Sequence, residues 1–366
     1  MDVRVLSFGE TGFSCYINNL LKHLVELDRE NTYTLYLNRS QRIEAIEGNN
    51  NFLVRVINGP FLIYKSLLLP FYLWRDKIEI FHSMTHDLPP FVFCKKIITF
   101  YDLNVEFLRR LYIPKLRLLS YFRISRLSAR FADKIIAIST NTKTDLVKLY
   151  KVPAEKIQVI LLAAEETFRP ENKESARGKI KKNFGIQPPF ILYVGQIRVQ
   201  KNVPRLLDAF KKIKEKGFPH RLVLVGSHNT GSEFYDLASE IEKRGLKDEV
   251  IHISNCNRTE DLASFYNAAD LFTYLSLYEG FGLPVLEAMA CGTAVVASRV
   301  ASIPEVAGGA GILINPYNVD EIAQTLYRVL KDNDLRNELI DKGLKRVTKF
   351  SWLRTAQETL SLYKKC

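Results

Sequence analysis

Residues 278–289 read Tyr278-Glu279-Gly280-Phe281-Gly282-Leu283-Pro284-Val285-Leu286-Glu287-Ala288-Met289, and their order describes a strand passing into a helix. The apolar run Leu271–Leu275 ahead of them predicts a buried strand. Gly280 and Gly282 permit backbone geometry closed to other residues. Pro284 suits a first helical position, and a helix-forming run follows it. The amides around Gly280 to Leu283 then point out of a helix N-terminus, where an anion such as phosphate is held. Glu287 falls in the first helical turn, where a carboxylate complements the helix dipole. Glu279 stands before the loop, where a carboxylate accepts hydrogen bonds from sugar and ribose hydroxyls. The same two residues also fit a plain helix start and a solvated loop acid, and periodicity alone does not choose.

The pattern recurs upstream. The run Phe190–Val194 ends in Gly195, a short loop carries Arg198 and Lys201, and Pro204 opens a helix. A lysine at such a turn neutralises a diphosphate, although a solvated loop lysine has the same local sequence. Strand-like runs continue through the second half at Arg221–Val225, Val250–Ile253, Ala294–Ala297 and Gly311–Ile314, with helical stretches between them. The first half offers Val3–Phe8, Tyr33–Leu37, Phe52–Ile57, Ile78–His82, Lys96–Phe100, Lys134–Ile138 and Ile157–Leu161. Short apolar runs of this kind belong to parallel sheets covered on both faces. The alternation predicts an α/β protein of two doubly wound Rossmann-like domains, 1–168 and 169–351, facing a central cleft. The tail from Trp352 to Cys366 reads as one amphipathic helix that packs back on the first domain.

Composition restricts the partners. Lys and Arg number 52 against 40 Asp and Glu, a formal charge of +12. The excess is spread over both halves, which suits anionic ligands better than a discrete nucleic-acid tail. The charge alone leaves a non-enzymatic nucleic-acid-binding protein as a rival, but no nucleic-acid motif is present and none is expected as a partner. A dinucleotide-dependent oxidoreductase would need Gly-x-Gly-x-x-Gly after the first strand, and Gly9-Glu10-Thr11-Gly12 lacks that form. The five cysteines are widely spaced with no Cys-x-x-Cys, as expected of reduced thiols in the cytoplasm. The chain opens on a strand-like run, so no signal peptide is expected. The apolar run Phe61 to Trp74 is too short to span a bilayer.

The glutamate pair, its continuation Ala288-Met289-Ala290-Cys291-Gly292-Thr293-Ala294-Val295-Val296-Ala297-Ser298, and Ile303-Pro304-Glu305-Val306 together resemble the signature of the large retaining glycosyltransferase family called group 1 or family 4, which has the GT-B fold. Tyr193-Val194-Gly195 with Lys201-Asn202 resembles that family's diphosphate loop. Ala132 to Ser139 and Lys156-Ile157 resemble its interdomain region, and Gly9 to Tyr16 its first acceptor-side loop. By that resemblance, Glu279 binds the transferred sugar and Glu287 the ribose of a nucleotide-diphosphate sugar, such as GDP-mannose or UDP-glucose. Lys201, supported by Gly195, Arg198 and Gly280, and the amides of Phe281, Gly282 and Leu283 hold the diphosphate. Gly12, Phe13 and His82 fall on the acceptor side. The implied reaction transfers a hexose with retention and without a metal or other cofactor, to a cell-surface glycan, an oligosaccharide or a lipid-linked acceptor. A sugar-nucleotide epimerase of the same fold is the alternative, against which the glutamate pair argues.

The chain departs from that pattern in two places. Gln196 and Gln200 stand where the family often has arginine, which leaves Arg198 in a supporting role. After the strand Ile97–Phe100 the family often has His-Asp, and this chain has Tyr101-Asp102. Both are expected at the reaction centre, with Tyr101 a poor base near neutral pH. Asp332-Asn333-Asp334 imitates a metal-binding Asp-x-Asp but falls between two helices and reads as a helix start. His82 and His86 have metal-like spacing, but Pro89 and Pro90 argue against the helix that spacing needs. Residues 106–130 carry Arg109, Arg110, Lys115, Arg117, Arg123, Arg126 and Arg130 among leucines, against the single acid Glu106. Such a basic amphipathic stretch, with Phe61–Trp74, suits peripheral association with an anionic membrane surface; it also fits an ordinary basic surface helix.

Overall fold

The computed structural model describes residues 1–8, 12–104, 115–228, 236–256 and 258–366. These form two compact units. One contains residues 1–104, 115–162 and Ser351–Cys366, and the other 163–350.

In the first unit, β1 (Tyr33–Leu37) pairs in parallel with β2 (Phe52–Val56). Strands β3 (Ile80–Ser83), β4 (Lys95–Phe100), β5 (Lys134–Ala137) and β6 (Ile157–Val159) form a parallel sheet in that order. Asp2 joins the two sets by bridging Tyr36 of β1 and Ser83 of β3. The expected strand Val3–Phe8 is corrected: the chain leaves the sheet at once and turns into a 3-10 helix, Arg4–Phe8. Arg4 folds back on Asp2 through a buried ion pair, Nη2 to Oδ2 2.6 Å, and its guanidinium lies 4.7 Å over the Tyr64 ring. A short apolar run cannot by itself distinguish a strand from a helical turn.

The sheet is covered on both faces. Ile98, Phe100, Ile135 and Ala137 pack with Tyr64, Leu69 and Leu73 of the helical stretch 61–75 and with Ala129 of the helix Lys115–Phe131. Pro70, which lacks an N–H, falls inside 61–75, and the turn before it widens so that Leu69 N–H reaches Tyr64 O. On the other face, Ile97, Ile136 and Ile160 meet Leu362 of the C-terminal helix Trp352–Lys364. That helix also packs on the helix Gly12–Leu27, whose apolar stripe is buried. Thr355 Oγ1 donates to Leu161 O at 2.6 Å.

The second unit holds one parallel sheet of six strands: β7 (Phe190–Val194), β8 (Arg221–Val225), β9 (Val250–Ile253), β10 (Leu271–Tyr274), β11 (Val295–Ser298) and β12 (Ile312–Ile314). Their order is β12-β11-β10-β7-β8-β9. The chain therefore winds outward from β7 to β9, then returns to lay β10 against the other side of β7. Every residue of β7, β10 and β11 is buried, which is why these strands read as continuous apolar runs. The crevice beyond the carboxyl ends of β7 and β10 is the topological switch point, where this architecture binds ligands.

Candidate active site

Two loops reach that crevice in the second unit, one from each flanking strand. After β7 the chain makes a 3-10 turn, Val199–Lys201, and the helix Val203–Lys214 begins with Pro204 near its start. After β10 comes the Glu279–Gly282 loop and then the helix Leu283–Ala290. Lys201 Nζ donates to Glu279 Oε1 at 2.6 Å and to the Tyr274 hydroxyl at 2.7 Å. Lys201 and Glu279 are each only 14% exposed. A hydrogen-bonded ion pair at this depth contributes about 1.5–3 kcal/mol per charged hydrogen bond, so it fixes both side chains in one geometry. Leu277 N–H also donates to Gln200 O at 2.7 Å, which ties the two loops backbone to backbone.

The supporting glycines are there for contact. A Cβ on Gly226, at the end of β8, would stand 2.2 Å from Gly195 O, so only glycine lets the two strand ends approach. Gly195 N–H donates to Val225 O at 2.9 Å, and Tyr193 OH reaches over the loop to Gln196 O at 3.1 Å. Gly282 caps the helix at φ +111°, and a Cβ there would meet Ile303 Cδ1 at 2.7 Å. Ser302 Oγ lies 2.9 Å from Glu279 O and 2.7 Å from Phe281 O, which holds the loop from below. Gly280 and Phe281 are buried and Leu283 is half-buried at the helix start. Arg198 is half-buried, and its carbonyl accepts from Lys201 N–H at 2.9 Å.

Glu287 lies one helical turn further on and is not part of the Lys201 contact. The Tyr266 hydroxyl donates to Glu287 Oε2 at 2.8 Å. Burial pushes the Glu287 carboxyl up to about 7, opposed by the Tyr266 hydrogen bond and reinforced by the charge of Glu165. Near neutral pH this carboxyl is thus poised between its two forms. Tyr266 and Tyr274 are the functional neighbours that the sequence conceals. They sit in apolar runs where an aromatic ring reads as core, and the only signal is that a buried hydroxyl must find a polar partner.

In the first unit, Gly12 is the first residue of the helix Gly12–Leu27; the loop residues 9–11 before it lie outside the described residues. Phe13 packs edge-on against Tyr101, with ring centroids 4.4 Å apart. Tyr101 is buried, its N–H donates to His86 Nε2 at 3.0 Å, and its hydroxyl donates to Met84 O at 3.2 Å. Burial raises that hydroxyl well above its ordinary value, so Tyr101 is no proton acceptor. Asp102 is half-buried and accepts from Asn104 N–H at 3.0 Å. His82, expected on the acceptor side, is instead buried with both ring nitrogens engaged: Nδ1 with Tyr363 OH at 2.6 Å and Nε2 with Thr99 Oγ1 at 2.7 Å. It joins the C-terminal helix to the sheet. Asp332 caps the helix Asn333–Val347 by accepting from Leu335 N–H at 2.9 Å. Among the described residues, no group of three or more His, Cys, Asp or Glu is placed to hold a metal ion.

Residues 176–346 match the family described as glycosyl transferases group 1, and residues 12–163 match glycosyltransferase family 4. The chain is 31% identical over 271 residues to an O-antigen chain mannosyltransferase B of Escherichia coli, covering 74% of this chain and 70% of that protein. It is 30% identical over 227 residues to the serotype-specific mannosyltransferase WbdA of Escherichia coli, covering 62% of this chain but only 28% of that longer protein. Among solved structures, HepE of Anabaena in complex with UDP-glucose superposes with a TM-score of 0.78 at 17% identity, covering 98% of this chain and 97% of that one; at that identity the likeness concerns the fold, which is GT-B.

Proposed function

The chain belongs to the group 1 and family 4 glycosyltransferases, and from that premise we propose that it moves a hexose with retention from a nucleotide-diphosphate sugar to a glycan or lipid-linked acceptor, without a metal. The observation that carries the reading is the Lys201–Glu279 contact across the switch point. A cation and a carboxylate stand side by side at the mouth of a helix N-terminus. A nucleotide-diphosphate sugar exchanges that pair for two better partners: the diphosphate takes Lys201 and the amides of Phe281, Gly282 and Leu283, and the sugar hydroxyls take Glu279. Glu287, one turn away, takes the ribose hydroxyls.

Bond cleavage at the anomeric carbon leaves negative charge on the diphosphate. Lys201 and the helix N-terminus oppose that charge most strongly once it has developed, which lowers the barrier. The acceptor hydroxyl enters on the face the diphosphate leaves, and its proton passes to a leaving phosphate oxygen. No protein base is required, which suits a chain whose Tyr101 hydroxyl is tied to Met84 O. The donor class is read from the mannosyltransferase relatives and the UDP-glucose complex, and GDP-mannose and UDP-glucose are the first two to test.

A panel of nucleotide sugars screened for thermal stabilisation identifies the donor, since a bound ligand raises stability by mass action. One sugar nucleotide should raise the melting temperature more than its free nucleoside diphosphate. Turnover followed by NMR should then give a product with the donor's anomeric configuration and full activity in chelator. An inverted product, or activity abolished by chelator and restored by magnesium or manganese, contradicts the mechanism.

A further inference from the structure

We propose that one face of the first unit is a docking surface for an anionic phospholipid bilayer, built jointly by the helical stretch 61–75, the segment 91–93 and the helix Lys115–Phe131. All three pack against the same side of the sheet. Tyr64, Leu69 and Leu73 of the first, Val92 of the second and Ala129 of the third belong to one core. Their outward side chains are apolar: Leu67, Phe71 and Trp74 from the first element, Phe93 from the second, Leu127 and Phe131 from the third. Trp74 is 67% exposed, Phe93 87% and Phe131 69%. Single exposed apolar residues are ordinary, but an array on adjacent elements marks a binding surface.

Charge selects the occupant. The exposed polar side chains among these rings include Arg123 and Arg130, and neither 61–75 nor 107–132 contains an acidic residue. Exposed tryptophan and phenylalanine set among arginines is the composition of an interfacial segment on anionic lipid. A second copy of the same face would set arginine against arginine. Of the seven basic residues expected here from the sequence, Arg109 and Arg110 lie outside the described residues, and the charge of the surface rests on Arg123 and Arg130. Trp74, Phe93 and Phe131 precede β3, β4 and β5 respectively, so they gather toward the amino edge of the sheet. Tyr101 and Asp102 follow β4 at the opposite edge, which makes docking separable from acceptor binding.

The chain carries its own probe. It has two tryptophans, and Trp352 is buried at 5% exposure, so an environmental shift in emission reports Trp74. The full chain is mixed with phosphatidylcholine vesicles, with and without phosphatidylglycerol, and followed by co-sedimentation and fluorescence. We expect co-sedimentation and a blue shift with the anionic vesicles only, both weakened by salt. The double reversal Arg123→Glu, Arg130→Glu should weaken partitioning by about tenfold or more. Phe93→Ser with Phe131→Ser should abolish the blue shift while leaving nucleoside-diphosphate affinity unchanged; both side chains are exposed, so the fold loses little packing. No binding at low salt overturns the proposal. So does co-sedimentation without a Trp74 shift, and so does a blue shift that grows with protein concentration in the absence of lipid, which would mean that a second copy covers the face.

Discussion

Tyr274 accepts from Lys201 and also hydrogen-bonds Glu279, closing a three-membered ring of side chains beneath the crevice. Tyr274 is buried and the two charged side chains are mostly covered, which keeps Lys201 pointing at the switch point instead of into solvent. Tyr274→Phe removes one hydrogen bond to a charged group, so the sugar-nucleotide KM should rise about three- to tenfold with little change in kcat or melting temperature; an unchanged KM would remove Tyr274 from the site. Glu287 makes a second claim at this scale. Burial holds its carboxyl at about 7, and ribose hydroxyls donate more strongly to the ionised form. Nucleotide binding should therefore release a proton, and affinity should climb as pH rises toward 7 and level off above it. One unit below that value it should be weaker by up to about tenfold. Calorimetry across pH tests this, and Glu287→Gln should both weaken binding and erase the pH dependence. The same residue acts on stability with the opposite slope: its pKa is raised on folding, so its stabilising contribution is complete below the ordinary carboxylate range and is lost as pH rises toward 7. The two tyrosines were illegible because nothing in an apolar strand or helix reveals which ring sends its hydroxyl upward.

At the scale of elements, the strands of the second unit were legible nearly residue for residue, since buried parallel strands leave unbroken apolar runs bounded by glycine and proline. The first unit was legible except at its start, where Arg4 turning onto Asp2 converts an apparent strand into a helical turn. The C-terminal helix was legible as amphipathic, but its anchor was not, because His82 resembles a site residue until its partners are known. That anchor carries a prediction. Burial lowers His82 to about 3 and His86 to about 4, so both fold as neutral rings. Their contribution is present above the ordinary histidine value of about 6.5 and is lost as pH falls toward the folded values, because the unfolded chain then binds more protons. Denaturant midpoints should drop between about pH 6.5 and pH 4, and His82→Gln should lower neutral-pH stability while flattening that slope. Tyr363→Phe should cost about 1–2 kcal/mol by leaving a buried ring nitrogen without its partner. A slope unchanged by His82→Gln would mean that the carboxylates alone set the acid limit.

At the scale of the whole molecule, the family was legible from one segment and its resemblance assigned Lys201 and Glu279 to one site, but the direct contact between them was not legible. Lys201 and Glu279 lie 78 positions apart, and only the strand order β10-β7 makes them neighbours. Each looked like a loop residue with two possible meanings, and the winding of the sheet brings them into contact. The proposed function requires the crevice between β7 and β10 to bind the diphosphate with Lys201 as its cation. The most direct measurement is calorimetric titration of UDP and GDP into the wild-type chain, Lys201→Ala and Glu279→Gln. One of the two nucleotides should bind the wild type, and Lys201→Ala should weaken it by at least about tenfold, the cost of a charged hydrogen bond. Glu279→Gln should leave that affinity nearly intact while turnover falls sharply, because the carboxylate serves the sugar and not the diphosphate. Wild-type affinity retained in Lys201→Ala, or equal losses of nucleotide binding in both variants, would contradict the account.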